Sequence, residues 1–124
     1  MMTKNLTDIE AKSDIETLVN VFYEQVKKDK QISRFFVGVN WEMHLPIMYN
    51  FWGNVLFYTG NYDGNPMLQH KLLNERMPLS KADFEHWIYL FNKTVDTLFK
   101  GPKADLIKER ANNIASIMQI KILN

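Results

Sequence analysis

Ser13-Asp14-Ile15-Glu16-Thr17-Leu18-Val19-Asn20-Val21-Phe22-Tyr23-Glu24-Gln25-Val26 is the stretch that sets the fold class. Ile15, Leu18, Val19, Phe22 and Val26 fall at offsets 0, 3, 4, 7 and 11. That is one apolar stripe at the helical period. Glu16, Asn20, Gln25, Lys27 and Lys28 take the opposite side, and Tyr23 borders the stripe. Ser13 and Glu16 have capping-box spacing, which predicts a helix beginning at Ser13 and fading near Lys30. Thr7-Asp8-Ile9-Glu10 has the same form and predicts a short lead-in helix.

The flanking sequence repeats the helical pattern. Between positions 41 and 58, His44, Met48, Phe51, Trp52 and Val55 recur at offsets 0, 4, 7, 8 and 11. Pro46 interrupts this run and would cost about 3 kcal/mol in a helix interior. It is therefore expected in the first turn, with His44 at or just before the start. Residues 60–65 (Gly-Asn-Tyr-Asp-Gly-Asn) are turn chemistry and predict the end of that helix. Asn65 as cap and Pro66 as first residue predict one or two helical turns carrying His70. Residues 74–79 read as a loop. Ser80 with Asp83 begins another helix, with a stripe of Phe84, Trp87, Ile88, Phe91, Val95 and Leu98. Gly101-Pro102 stops it. A last helix over 103–123 is expected to bury Leu106, Ile107, Ala111, Ile114, Met118 and Ile122. No β-alternation, repeat or linker is visible. The reading is one all-α domain over 1–124, with 1–12 as a lead-in segment.

Composition narrows the function. The 15 basic and 14 acidic residues nearly cancel, so no general pull toward nucleic acid or anionic membrane is expected. There is no cysteine, which removes disulfide and thiolate chemistry and suits a cytoplasmic protein. Met1-Met2-Thr3-Lys4-Asn5 precedes no apolar run, so no secretory signal is expected. The run around Val55 to Tyr58 is too short to span a bilayer. Three Trp, five Tyr, eight Phe and seven Met make an unusually aromatic, soft-sided chain. Either an aromatic core or a large flat apolar ligand accounts for that.

Four polar residues stand among apolar neighbours. His70, flanked by Met67, Leu68, Leu72 and Leu73, is either an ordinary core or surface histidine or an axial ligand to haem iron. Tyr23, His44 and Trp87 can each donate a hydrogen bond. Singly each suits a core position with a satisfied tip. Together, on three helices, they could converge in an apolar cavity and stabilise partial negative charge there. A di-iron bundle lacks its carboxylates, since only Asp83 and His86 have the spacing. Three histidines on separate segments are a poor zinc set. No phosphate loop or nucleophile elbow is present.

The run Trp41-Glu42-Met43-His44-Leu45-Pro46-Ile47-Met48-Tyr49-Asn50-Phe51-Trp52 resembles the distal helix of group III truncated haemoglobins. So do residues 60–66 followed by His70, the run Phe84-Glu85-His86-Trp87-Ile88-Tyr89-Leu90-Phe91, and the step Phe22-Tyr23-Glu24. The likeness extends from about Asp14 to Ile122. It implies a truncated globin fold, two helices crossed over two, around haem b. By the same resemblance His70 matches the proximal ligand of the iron. Tyr23, His44 and Trp87 match the distal donors that face a ligand. Met48, Phe51 and Trp52 match the apolar distal wall, and Phe36 the phenylalanine on the haem face. The 74–79 loop is longer than the family pattern, which leaves Lys71 or Arg76 open as partner of a haem propionate.

The resemblance implies binding of diatomic gases: oxygen, nitric oxide or carbon monoxide. It equally admits a haem enzyme for nitric oxide dioxygenation or peroxide-dependent oxidation, served by a separate reductase. A helical interaction module without haem is the third alternative. The expected assembly is a monomer or a weak dimer.

Overall fold

The computed structural model describes residues 5–60, 62 and 64–123. Residues 1–4, part of the expected signal-free start, and Asn61 and Asp63 of the expected turn lie outside them. Five α-helices and a short 3₁₀ turn form in the order α1 (Lys12–Lys28), the turn (Ser33–Phe36), α2 (Trp41–Phe57), α3 (Pro66–Arg76), α4 (Lys81–Leu98) and α5 (Pro102–Leu123). Helix α1 lies against α2 and α4, and α5 lies against α4, α2 and α3. The two pairs α1/α2 and α4/α5 are the two crossed layers. No helix among the described residues is long and apolar enough to cross a membrane.

The α1 stripe is fully used. Ile15, Leu18, Val19, Phe22, Tyr23 and Val26 are all buried. They meet Phe91 and Val95 of α4, together with Trp52 and Leu56 of α2, in one core cluster. Burying a large apolar side chain stabilises by roughly 1.5–3 kcal/mol, so α1 is the main contributor of core. In α5 the buried residues are Ala104, Ile107, Ala111, Ala115 and Met118. Leu106, Ile114 and Ile122, expected inside, are only half-buried. Small alanines take the contact because they let two helices approach closely.

Several boundaries differ from the sequence reading. Helix α1 begins at Lys12, and Asp14 accepts hydrogen bonds from the N–H groups of Glu10 (2.8 Å) and Ala11 (3.1 Å). Ser13 lies inside the helix, where its carbonyl accepts from the Thr17 hydroxyl. Helix α2 begins at Trp41 under an Asn40 cap, whose side chain accepts from Met43 N–H. Pro46 therefore sits in the second turn, inside the helix, and His44 is its fourth residue. The Asn40 carbonyl also accepts from His44 N–H (2.9 Å). Anchoring the first turn this way offsets the bond that proline removes. Helix α2 ends at Phe57, with Tyr58 rather than a glycine in the left-handed conformation. Helix α3 runs to Arg76, longer than two turns, so the loop is shorter than positions 74–79. Pro78 pushes Met77 to extended backbone and stops the helix. The Asn74 side chain then accepts from Leu79 N–H (2.7 Å). The Ser80–Asp83 capping box of α4 forms as read.

No lead-in helix forms at Thr7-Asp8-Ile9-Glu10. Asp8 instead caps α5 from the far end of the sequence, accepting from the N–H groups of Lys103 (2.9 Å) and Ala104 (2.8 Å). Gly101 makes the approach possible, because a Cβ there would lie 2.5 Å from Asp8 Cγ. Burial works against ionisation of Asp8. The hydrogen bonds from Lys103, Ala104 and Ile9 outweigh it and hold the carboxyl below its ordinary value. Asp29 and Asp83 are depressed in the same way, burial being outweighed by hydrogen bonds to their carboxylates.

Two outcomes follow for stability. Asp8→Ala should cost about 1–2 kcal/mol, the usual worth of a helix cap, read as a lower urea midpoint at unchanged slope. The three aspartates have folded-state values below the unfolded value of about 3.9. Their contribution is complete above that value and is lost as pH falls through the folded values. Urea midpoints should therefore fall steeply below about pH 4, after a smaller decline that begins near pH 6.5, where burial of His44 opposes the proton its unfolded form takes up, and a flat profile to pH 2 would contradict this assignment.

Candidate functional site

Helix α3 carries His70. The Asn65 side chain accepts from Leu68 N–H (3.0 Å), and Pro66 opens the helix without needing its missing donor. One turn on, His70 Nδ1 lies 2.7 Å from the Pro66 carbonyl oxygen. A carbonyl only accepts, so Nδ1 carries the proton and donates. In the neutral ring Nε2 is then a bare lone pair, and it has no partner among the described residues. Helix α3 buries none of its residues, although Met67 and Leu73 are half-buried beside His70.

On the other layer, Tyr23 and His44 come together. Their rings lie edge to face with centroids 5.3 Å apart. Tyr23 is 6% exposed, and burial pushes its phenol far up, so it stays protonated and can donate. His44 is half-buried; burial lowers its pKa and favours the neutral imidazole. Its Nε2 is buried with no hydrogen-bond partner, an unusual state for a polar atom and one that points to a ligand. Phe36 touches both rings, at 5.8 Å from Tyr23 and 6.4 Å from His44.

Trp87 does not touch that pair. It is reached through Phe22, which lies 5.1 Å from Tyr23 and 5.6 Å from Trp87. Trp52 is 3% exposed and stacks on Phe91 at 4.6 Å and Trp87 at 6.3 Å. Phe51 packs edge-on against Trp52 (4.9 Å) and Tyr62 (5.1 Å). Met48, Phe51 and Val55 are half-buried on α2.

The sequence matches the bacterial-like globin family over residues 7–120. It is 32% identical over 111 residues to the group 3 truncated hemoglobin ctb of Campylobacter jejuni, covering 85% of each chain. The fold matches a crystal structure of group III truncated hemoglobin from Campylobacter jejuni with a TM-score of 0.85, at 29% identity over 95% of each chain. It also matches Chlamydomonas reinhardtii THB1, with a TM-score of 0.70, covering 92% of this chain and 91% of that one. At 22% identity that likeness concerns the fold alone. The chain is a group III truncated haemoglobin of the bacterial-like globin family.

Membership implies haem as cofactor, and the residues present fit it. Haem iron takes its in-plane ligands from the porphyrin and asks the protein for one neutral imidazole nitrogen. His70 Nε2 is such a nitrogen, with its tautomer fixed by the Pro66 carbonyl as second-shell partners commonly do. Among the described residues no three His, Asp or Glu side chains gather to hold a bare metal ion. The half-buried apolar side chains of α2 and α3 suit a flat apolar group.

Two features of this globin's site were not assigned from sequence. Trp41 contacts Tyr23 (5.2 Å), His44 (5.5 Å) and Phe36 (5.8 Å, stacked), which makes it the hub of the outer wall. Its position three residues before His44 puts both on one helix face, and that was the available signal. His86, weighed from sequence only as a metal ligand, is half-buried, and its Nε2 donates to Asp29 Oδ2 at 2.6 Å. That pair lies 57 residues apart in the chain, so no local pattern marks it.

Because burial raises the Tyr23 phenol, it should not ionise while the protein is folded. In an alkaline titration followed at the phenolate absorbance, Tyr23→Phe should leave the curve unchanged up to about pH 11. Loss of one equivalent of phenolate in the variant would contradict the burial assigned to Tyr23.

Proposed function

We propose that this globin binds a diatomic gas at a haem iron held by His70, with Tyr23, His44 and Trp87 facing the ligand. The observation that carries the reading is the His70 Nδ1 to Pro66 oxygen distance of 2.7 Å, which leaves Nε2 free for iron. The buried, partnerless Nε2 of His44 supports the opposite side. Haem b would supply a ferrous iron to which oxygen, nitric oxide or carbon monoxide binds. The chain supplies the rest.

His70 is held in one tautomer and one orientation by the Pro66 carbonyl. Tyr23, kept protonated by burial, donates its phenol proton toward partial negative charge on the gas. Trp87 contributes an indole N–H that can only donate. His44, neutral by burial, offers its free Nε2 beside Tyr23. Phe36, Met48, Phe51 and Trp52 keep bulk water out, which strengthens each of these donors. Lys71 and Arg76, both exposed on α3, are the cations available to haem propionates.

A hydrogen bond of this kind is worth about 1.5–3 kcal/mol when charge develops on the acceptor. Tyr23→Phe should therefore speed oxygen dissociation roughly ten- to a hundredfold in stopped flow. An unchanged rate removes Tyr23 from the mechanism. His70→Gly should bind haem only with added imidazole. A normal His-ligated spectrum from that variant without imidazole would falsify the assignment of His70.

A further inference from the structure

The outer wall of the distal site also carries a cluster of exposed cations, of which Lys28 and Lys30 have no ion-pair partner among the described residues. Residues 27–34 contain four cations and one carboxylate, a local charge of +3 in a chain whose total is +1. The carboxylate, Asp29, is engaged by His86 and by the N–H groups of Gln31 and Ile32. It is thus turned inward as a structural group. Lys27, Lys28, Lys30 and Arg34 are exposed. Lys27 has the exposed Glu24 beside it at 3.2 Å, a surface pair of little worth.

Beneath this charge lies a shallow surface cavity of about 300 Å³, lined by Lys27, Ser33, Arg34, Phe36, Val37 and Trp41. Its floor is aromatic. Phe36 and Trp41 stack with ring planes 19° apart, and both touch Tyr23 and His44 on the inner side. Lys27 Nζ sits 4.6 Å above the Trp41 ring. Val37 stands at the rim, 85% exposed. The segment is fixed to α4 at two points, Asp29 to His86 and Arg34 to Asp83. A rigid cationic collar thus surrounds an aromatic floor that is one ring away from the distal residues.

We propose that this face docks an electron-donor protein with an acidic rim around an exposed reduced flavin. The inference rests on the gas-binding reading, since iron oxidised in service must regain one electron to bind gas again. The flavin loses that electron and the iron gains it. The collar and floor select the partner. Cations steer and orient an acidic protein. The exposed Val37 and the two rings give the contact an apolar centre, as protein interfaces have. A lipid surface or nucleic acid would be served by a longer basic stripe than this compact collar.

The test uses the haem-loaded globin and an acidic flavodoxin as donor. Oxidised flavodoxin added to ¹⁵N-labelled globin at low salt should shift amides within residues 27–41. The shifts should vanish at about 0.3 M salt, where screening is short-ranged. The triple variant Lys27→Gln/Lys28→Gln/Lys30→Gln should be reduced by flavodoxin about tenfold more slowly. Its reduction by free photoreduced riboflavin, which has no acidic rim, should match the parent. Equal flavodoxin rates for parent and variant overturn the proposal, as do amide shifts on another face. Shifts in these amides caused by phosphatidylglycerol vesicles but not by flavodoxin also overturn it, in favour of a membrane surface. A globin that takes up no haem would refute the gas-binding reading instead; the amide arm, which needs no electron transfer, tells the two failures apart.

Discussion

Everything in this fold hangs on the burial of one face of α1. That helix touches α2, α4 and the 3₁₀ turn, and Phe22 at its middle is 1% exposed. The Phe22 ring meets Tyr23, Trp87 and Phe91, each edge to face at 5.1–5.6 Å. Such contacts add about 0.5–1.5 kcal/mol per pair to the area buried. The same ring therefore holds the two layers together and sets the separation between Tyr23 and Trp87. Core and candidate site are one aromatic assembly, so Tyr23 and Trp87 are positioned by the residues that stabilise the fold.

The fold was legible where the signal is local. The α1 stripe and the Ser80–Asp83 box involve residues within a few turns, and both appear as read. Positions that depend on distant partners were not legible. Asp8 has the form of a local cap, yet it serves an N-terminus that lies 95 residues on, at Lys103. Ala104 and Ala115 are too small to register in an apolar stripe, although close helix approach requires them. Pro46 misled because its cost was weighed without the Asn40 anchor that starts α2 five residues earlier.

The site was legible in its residue types and less so in its connections. The residue types of His70, Tyr23 and His44 were legible, because an imidazole after an Asn-Pro start and a tyrosine beside an apolar stripe are visible in sequence; their roles at a haem are proposals. Trp87 lies one ring farther from Tyr23 than a set of three converging donors suggests. That spacing is imposed by Phe22, a core residue with no polar chemistry to advertise it. Trp41 was present in the distinguishing run, but its role as hub follows from the bend of residues 31–40, which no periodicity describes.

Burial is unevenly shared among the helices, and the division has a physical logic. Helix α1 buries six residues, α2 only two and α3 none. A helix without buried side chains draws little stability from the protein alone, and α3 carries the proposed iron ligand. In a haem-binding globin the missing apolar contacts come from the cofactor, and any ligand that binds only the folded chain adds stability by mass action. The α3 sequence serves that division. Its ends are secured locally by Asn65, Pro66, Asn74 and Pro78, and its apolar side is left unclaimed by the core. The helix is thus defined locally and by its contact with α5, and haem held by His70, as proposed, would add the rest of its support. If His70 holds the iron as proposed, that imidazole joins the α5 contact as a second tie between α3 and the rest of the fold.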